Sequence, residues 1–165
     1  MIKFQKISAN YIKELFLIKK TVIFLLIILV GIQFIPVKKT NPPVDEAVAL
    51  HTDKKVMAIL KRSCYDCHSN ETKWSLYSDI APLSFGVVSH VEDGRNALNF
   101  SRYKTISPEI KRARLKRAIS TVKLGIMPLS SYLLFHKEAR LSKEDKKILI
   151  AWFKKELEKL PADEK

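Results

Sequence analysis

The sequence predicts an all-α protein in which one long apolar helix precedes a single small helical domain. Three observations carry this. The chain has 165 residues, 47% hydrophobic and 28% charged, which suits one modest folded domain and not a disordered chain. It holds only 4 glycines, and alternating apolar–polar strand patterns are scarce. Its net charge of +13 is unevenly spread, with a lysine-rich start followed by a run that has no charge at all.

The first element follows from that run. Residues 1–20 hold Lys3, Lys6, Lys13, Lys19 and Lys20 against the single acid Glu14. Thr21 to Val37, TVIFLLIILVGIQFIPV, is then continuously apolar. At a rise of about 1.5 Å per residue it spans roughly 25 Å, a little short of a hydrocarbon core of about 30 Å. Leu15, Phe16, Leu17 and Ile18, with snorkelling Lys19 and Lys20, make up the difference. No A-x-A cleavage pattern follows, so 21–37 reads as an uncleaved transmembrane signal anchor and not a cleaved signal peptide. A buried core helix would show polar residues on one face. The lysine excess keeps 1–20 cytoplasmic, so the expected arrangement is a single pass of a bacterial inner membrane with the rest periplasmic.

Residues 38–44, with Thr40-Asn-Pro-Pro43, read as a linker, 45–160 as the folded domain and 161–165 as a tail. Four or five helices are expected in the domain. One covers about 53–63, with Val56, Ile59 and Leu60 on one face, and runs into two cysteines. A second covers about 81–94. The third has Ser107 to cap it, Pro108 at its first position, Glu109 in its first turn and Gly125 after its end, with Ile110, Leu115, Ile119 and Val122 at helical spacing. The last starts at Ser142, with Asp145 three residues on in a variant capping box, and carries Ile148, Trp152 and Phe153 before Pro161.

The chemistry concentrates in Cys64-Tyr65-Asp66-Cys67-His68. Two cysteines alone leave three readings: a redox dithiol, half a metal site, or haem attachment. The adjoining histidine selects the last. Two thiols at this spacing add across the two vinyl groups of one porphyrin, and the next residue donates a ring nitrogen to the iron. A thioredoxin-like dithiol wants a strand before it, whereas VMAILKRS looks helical; a structural zinc site wants two more close ligands. The expected cofactor is one covalently attached haem c, with Cys64 and Cys67 as thioethers and His68 as proximal ligand.

RSCYDCHSNETKWSLYSDIAP, VEDGRNALNFS and GIMPLSSYLLFHKEARLS together resemble the haem-binding domain family of bacterial c-type cytochromes, over roughly residues 50–160. The resemblance implies a small, cytochrome c-like helical haem domain, usually exported. Ser75-Leu76 after Trp74, and Leu129 after the Met-Pro pair, depart from the prolines common there.

For the second axial ligand, Met127 in Gly125-Ile126-Met127-Pro128 matches the Gly-x-Met-Pro loop of ordinary cytochromes c, and a thioether there raises the reduction potential. His136 and His90 are the alternatives, and His51 is disfavoured because it precedes the domain core; an open sixth position is the remaining option. Between residues 95 and 123 lie nine basic residues: Arg95, Arg102, Lys104, Lys111, Arg112, Arg114, Lys116, Arg117 and Lys123. Outside the inner membrane there is no nucleic acid for them to bind. They form either a surface steering an acidic periplasmic redox partner or a solvated helix face. The expected function is one-electron transfer by a membrane-anchored monohaem cytochrome, not catalysis. The alternatives are a haem-based sensor or ligand binder, or a small peroxidase-type enzyme.

Overall fold

The computed structural model describes residues 2–161. Met1 and residues 162–165 of the expected tail lie outside the described residues. The described regular structure is all helical: α1 (Ile2–Gly31), α2 (Lys54–Ser63), α3 (Tyr65–His68), α4 (Leu83–Ala97), α5 (Pro108–Leu124), α6 (Ser130–Leu133) and α7 (Lys143–Glu158), joined by short 3₁₀ turns. The chain divides into two compact units, Met1–Lys38 with Ser75–Val87, and Lys39–Trp74 with Val88–Lys165.

In the first unit the candidate span of α1 and the turn after it covers Asn10–Phe34; its most apolar 18 residues have a mean hydropathy of 2.6, and none of that stretch is buried. Its 25 residues reach roughly 37 Å at helical rise. The helix is long and apolar enough to cross a membrane. It differs from the 21–37 expectation at both ends. Upstream, helix continues without a break because nothing between residues 10 and 21 interrupts it. Downstream it gives way to the turn Ile32–Phe34, and Ile35 is extended, the conformation that a following proline imposes. Gln33 is a polar exception in the run: its amide donates to the Ala81 carbonyl at 2.9 Å and accepts from the Ala81 N–H at 3.0 Å.

In the second unit the core gathers Val56, Ile59 and Leu60 of α2, Leu115 and Val122 of α5, and Leu149, Trp152 and Phe153 of α7, with Phe100 and Tyr103 between them. α2 begins where Asp53 accepts the Val56 N–H at 2.9 Å. α5 starts at Pro108 and stops at Gly125, whose φ of 73° is the left-handed cap a side chain would strain. α7 has the full capping box: the Asp145 N–H donates to Ser142 Oγ at 3.0 Å, and the Ser142 N–H donates to the Asp145 carboxylate at 2.9 Å. Arg62 reaches that carboxylate at 2.8 Å, tying α2 to the start of α7.

Of the positions at helical spacing on α5, Ile110 is exposed, while Leu149 of α7 is fully buried. The expected 81–94 helix lies at Leu83–Ala97. Ala81 precedes a proline and so leaves the helical region. Gly94 does not stop the helix, because its role is clearance: a Cβ there would collide with the Cys67 carbonyl.

Candidate functional site

The cysteine–histidine motif forms a corner. α2 closes at Ser63, Cys64 takes φ −132° and ψ −31°, and the single turn α3 presents Cys67 and His68. The element before the cysteines is therefore a helix, which disfavours the dithiol reading. Both cysteines are free thiols. Burial, reinforced by the neighbouring Cys67, pushes the Cys64 thiol up to about 12. Burial and the Asp66 carboxylate push Cys67 up to about 11. Thiols held protonated in this way are poor redox nucleophiles at neutral pH. Among the described residues no three His, Cys, Asp or Glu side chains cluster as a metal site.

The corner opens onto a mostly apolar cavity of about 780 Å³, within the range of roughly 300–1,000 Å³ common for cofactor sites. Cys64, Cys67 and His68 line it from one element, Leu98 and Phe100 from the segment after α4, and Ala118, Thr121 and Val122 from α5. Met127 and Pro128, joined by a cis peptide bond, and Tyr132 line it from the loop beyond α5. Sequence-distant Met127 and His68 thus border one cavity.

His68 is oriented by the backbone. Its Nδ1 donates to the Leu98 carbonyl at 2.9 Å. A carbonyl only accepts, so Nδ1 carries the proton and Nε2 keeps its lone pair. Burial lowers the His68 pKa, against the opposing pull of the Leu98 and Gly94 carbonyls, so the neutral form is favoured. That is the tautomer and charge state a metal-binding imidazole needs, with the second nitrogen held by an outer partner.

A polar lattice holds the backbone that follows Leu98. Asn99 donates to Asn70 Oδ1 at 2.9 Å and accepts the Ser101 N–H at 2.9 Å, while the Asn70 N–H donates to Ser101 Oγ at 3.0 Å. All three side chains are buried. Arg95 extends the lattice, donating to the Ser69 carbonyl at 2.7 Å and to Thr72 Oγ1 at 2.9 Å. Sequence reading had assigned roles to none of Gly94, Asn70, Asn99 and Ser101. The only signal was the polar run S-N-E-T after the motif and the spacing G-R-N-A-L-N-F-S, neither of which reveals a pairing.

The other candidate ligands separate. His90 is exposed and lines the cavity. His136 does not line it: its ring stacks on Tyr132 at 4.2 Å between centroids, and its Nδ1 lies 3.2 Å from the Glu138 carboxylate. His51 is exposed and its Nε2 meets the Glu46 carbonyl at 2.8 Å. The basic segment is also divided. Arg95 serves the lattice, Lys111 lies over the Tyr103 ring at 4.7 Å, and Arg114 and Arg117 line the cavity. Lys116 and Lys123 remain exposed.

These residues fit the haem that the motif implies. The cavity is apolar and of cofactor size, two thiols and a neutral imidazole share one corner, and the buried Ser63 hydroxyl beside them has no hydrogen-bond partner. Comparison with known proteins gives one family, described as Haem-binding domain, which matches residues 27–155. No curated protein and no solved structure matches the chain.

Proposed function

This chain belongs to the haem-binding domain family, and from that premise we propose that it is a membrane-anchored c-type cytochrome that carries single electrons on the periplasmic side of a bacterial inner membrane. The observation that carries the reading is the corner itself: Cys64, Cys67 and a neutral His68, its Nδ1 tied to Leu98, border one apolar cavity with Met127 across the chain. Cys64 and Cys67 would hold the group by thioethers, and His68 would offer Nε2 to the iron. When bound, the haem supplies a one-electron couple.

The protein's own residues do the rest. The Leu98 carbonyl keeps His68 in one tautomer and strengthens it as a donor. Leu98, Phe100 and Val122 exclude water from the cavity wall. Met127 is half-buried on that wall and would offer its thioether as second ligand, with His90 the next choice; His136 is committed to Tyr132 and Glu138. α1 anchors the carrier to the membrane, and the exposed lysines of α5 offer an acidic redox partner a basic face.

The test is the visible spectrum of the full chain, produced in cells with c-type maturation machinery, oxidised and reduced, with and without carbon monoxide. A reduced low-spin c-type spectrum unmoved by carbon monoxide is expected. Met127→Ala should then lower the potential and admit carbon monoxide. A wild-type chain that binds carbon monoxide readily points instead to the sensor or peroxidase readings. Folded protein without covalent haem overturns the proposal.

A further inference from the structure

Arg114 and Arg117 lie one turn apart on α5 and both line the cavity. Among the described residues neither has a hydrogen-bond or ion-pair partner. This sets them apart from Arg95, whose guanidinium also reaches Asn41 at 3.0 Å, and from Arg62, paired with Asp145. Two acids share the lining. Asp66 is taken by the Tyr132 hydroxyl at 2.6 Å and the Lys73 N–H at 3.1 Å, and Asp93 is exposed to water. The half-buried Arg114 is thus a fixed positive charge on an apolar wall without an anion, an arrangement that costs free energy until one arrives.

We propose that Arg114 and Arg117 bind the two propionate carboxylates of the haem. The inference rests on the haem reading and goes beyond it. A porphyrin carries its two vinyl groups and its two carboxylates on opposite edges. Thioethers at Cys64 and Cys67 commit the vinyl edge to the α2–α3 corner, so the acid edge must be met by a different element. α5 is a separate wall of the same cavity, and it presents two guanidinium groups, the side chain whose planar fork matches a carboxylate. Two positive charges balance two negative ones.

The experiment uses the full chain carrying Cys64→Ala and Cys67→Ala, so that only non-covalent contacts hold the porphyrin. It is titrated with iron protoporphyrin IX and with its dimethyl ester, in which both carboxylates are masked. The chain with both arginines should prefer the free acid by about tenfold, the scale of one or two charge-assisted hydrogen bonds at a partly wet site. Adding Arg114→Gln and Arg117→Gln should abolish that preference. Partition of each porphyrin into detergent is the same for both proteins and cancels. Should the double variant fail to fold, the exposed Arg117→Gln alone decides, with the preference falling about threefold. An undiminished preference in the variant overturns the proposal and returns these arginines to the partner-facing surface. A parent chain that binds both porphyrins equally, or neither, also overturns it, whereas the haem reading itself falls only if folded wild-type chain carries no covalent haem.

Discussion

Two of the sequence segments that border the cavity are built to different standards. The corner from Cys64 to Asn70 is locked from behind: Ser69 and Asn70 are buried, every side-chain amide in the Asn70–Asn99–Ser101 lattice is paired, and α4 approaches so closely that only glycine fits at 94. The loop carrying Met127 is lightly held. Ile126, Leu134 and Phe135 are exposed, and the Ile126 and Met127 amides share one acceptor, the Thr121 carbonyl, at 2.9 and 3.3 Å. Its firmest link to the corner is the Tyr132–Asp66 hydrogen bond. On the proposed reading, the corner that would hold the haem by thioethers needs a rigid seat, whereas a loop that would bring the second ligand can adjust, and it opens at lower free energy.

The largest break should come at Gly94. Alanine in a helix interior ordinarily stabilises relative to glycine by about 1 kcal/mol. Gly94→Ala should instead destabilise by about 3 kcal/mol in urea unfolding, because the added methyl meets backbone that cannot yield. A stabilised variant would show that α4 and the corner are not in contact this closely. Asn99→Ala should cost about 2 kcal/mol, since it strands the buried Asn70 Oδ1 acceptor and the Ser101 N–H donor together.

The pH response sharpens the same contrast. His68 is held neutral in the fold, so unfolded chain binds the extra proton. Stability of the haem-free protein should be complete above about pH 6.5, the ordinary histidine value, and fall as pH drops below it. The two thiols act in the other direction: their raised values make stability fall as pH rises above about 9. Unfolding midpoints across pH check both limbs, and His68→Gln should flatten the acid limb by its share.

On the loop the effects should be smaller. Tyr132→Phe removes one hydrogen bond to Asp66 and should cost about 1 kcal/mol, while speeding amide hydrogen exchange in 126–136 more than in 64–70. Equal acceleration in both segments would mean that the walls open together. The smallest effect belongs to His136→Ala, which should leave the visible spectrum of the haem protein unchanged, since that ring is stacked on Tyr132 away from the cavity. A spectral change there would reopen it as a ligand.

Much of this was legible in the chain. Helix ends announced themselves through local chemistry that acts within three or four residues: Asp53, Ser142 with Asp145, and Pro108 with Gly125. The cysteine–histidine motif is legible for the same reason, being five contiguous residues, and an unbroken apolar run needs no tertiary partner to be read. What only the tertiary structure decided are pairings across long separations. The Leu98 carbonyl that fixes the His68 tautomer lies thirty residues from it. Gly94 falls at the end of the helix expected over 81–94, and only the fold sets it against the Cys67 backbone. The basic run of α5 read as one charged face, yet the helix turns Arg114 and Arg117 to the cavity and leaves Lys116 and Lys123 to solvent. Local chemistry sets where elements begin and end; which of their faces meet is settled by packing around a shared core, and the sequence alone does not record it.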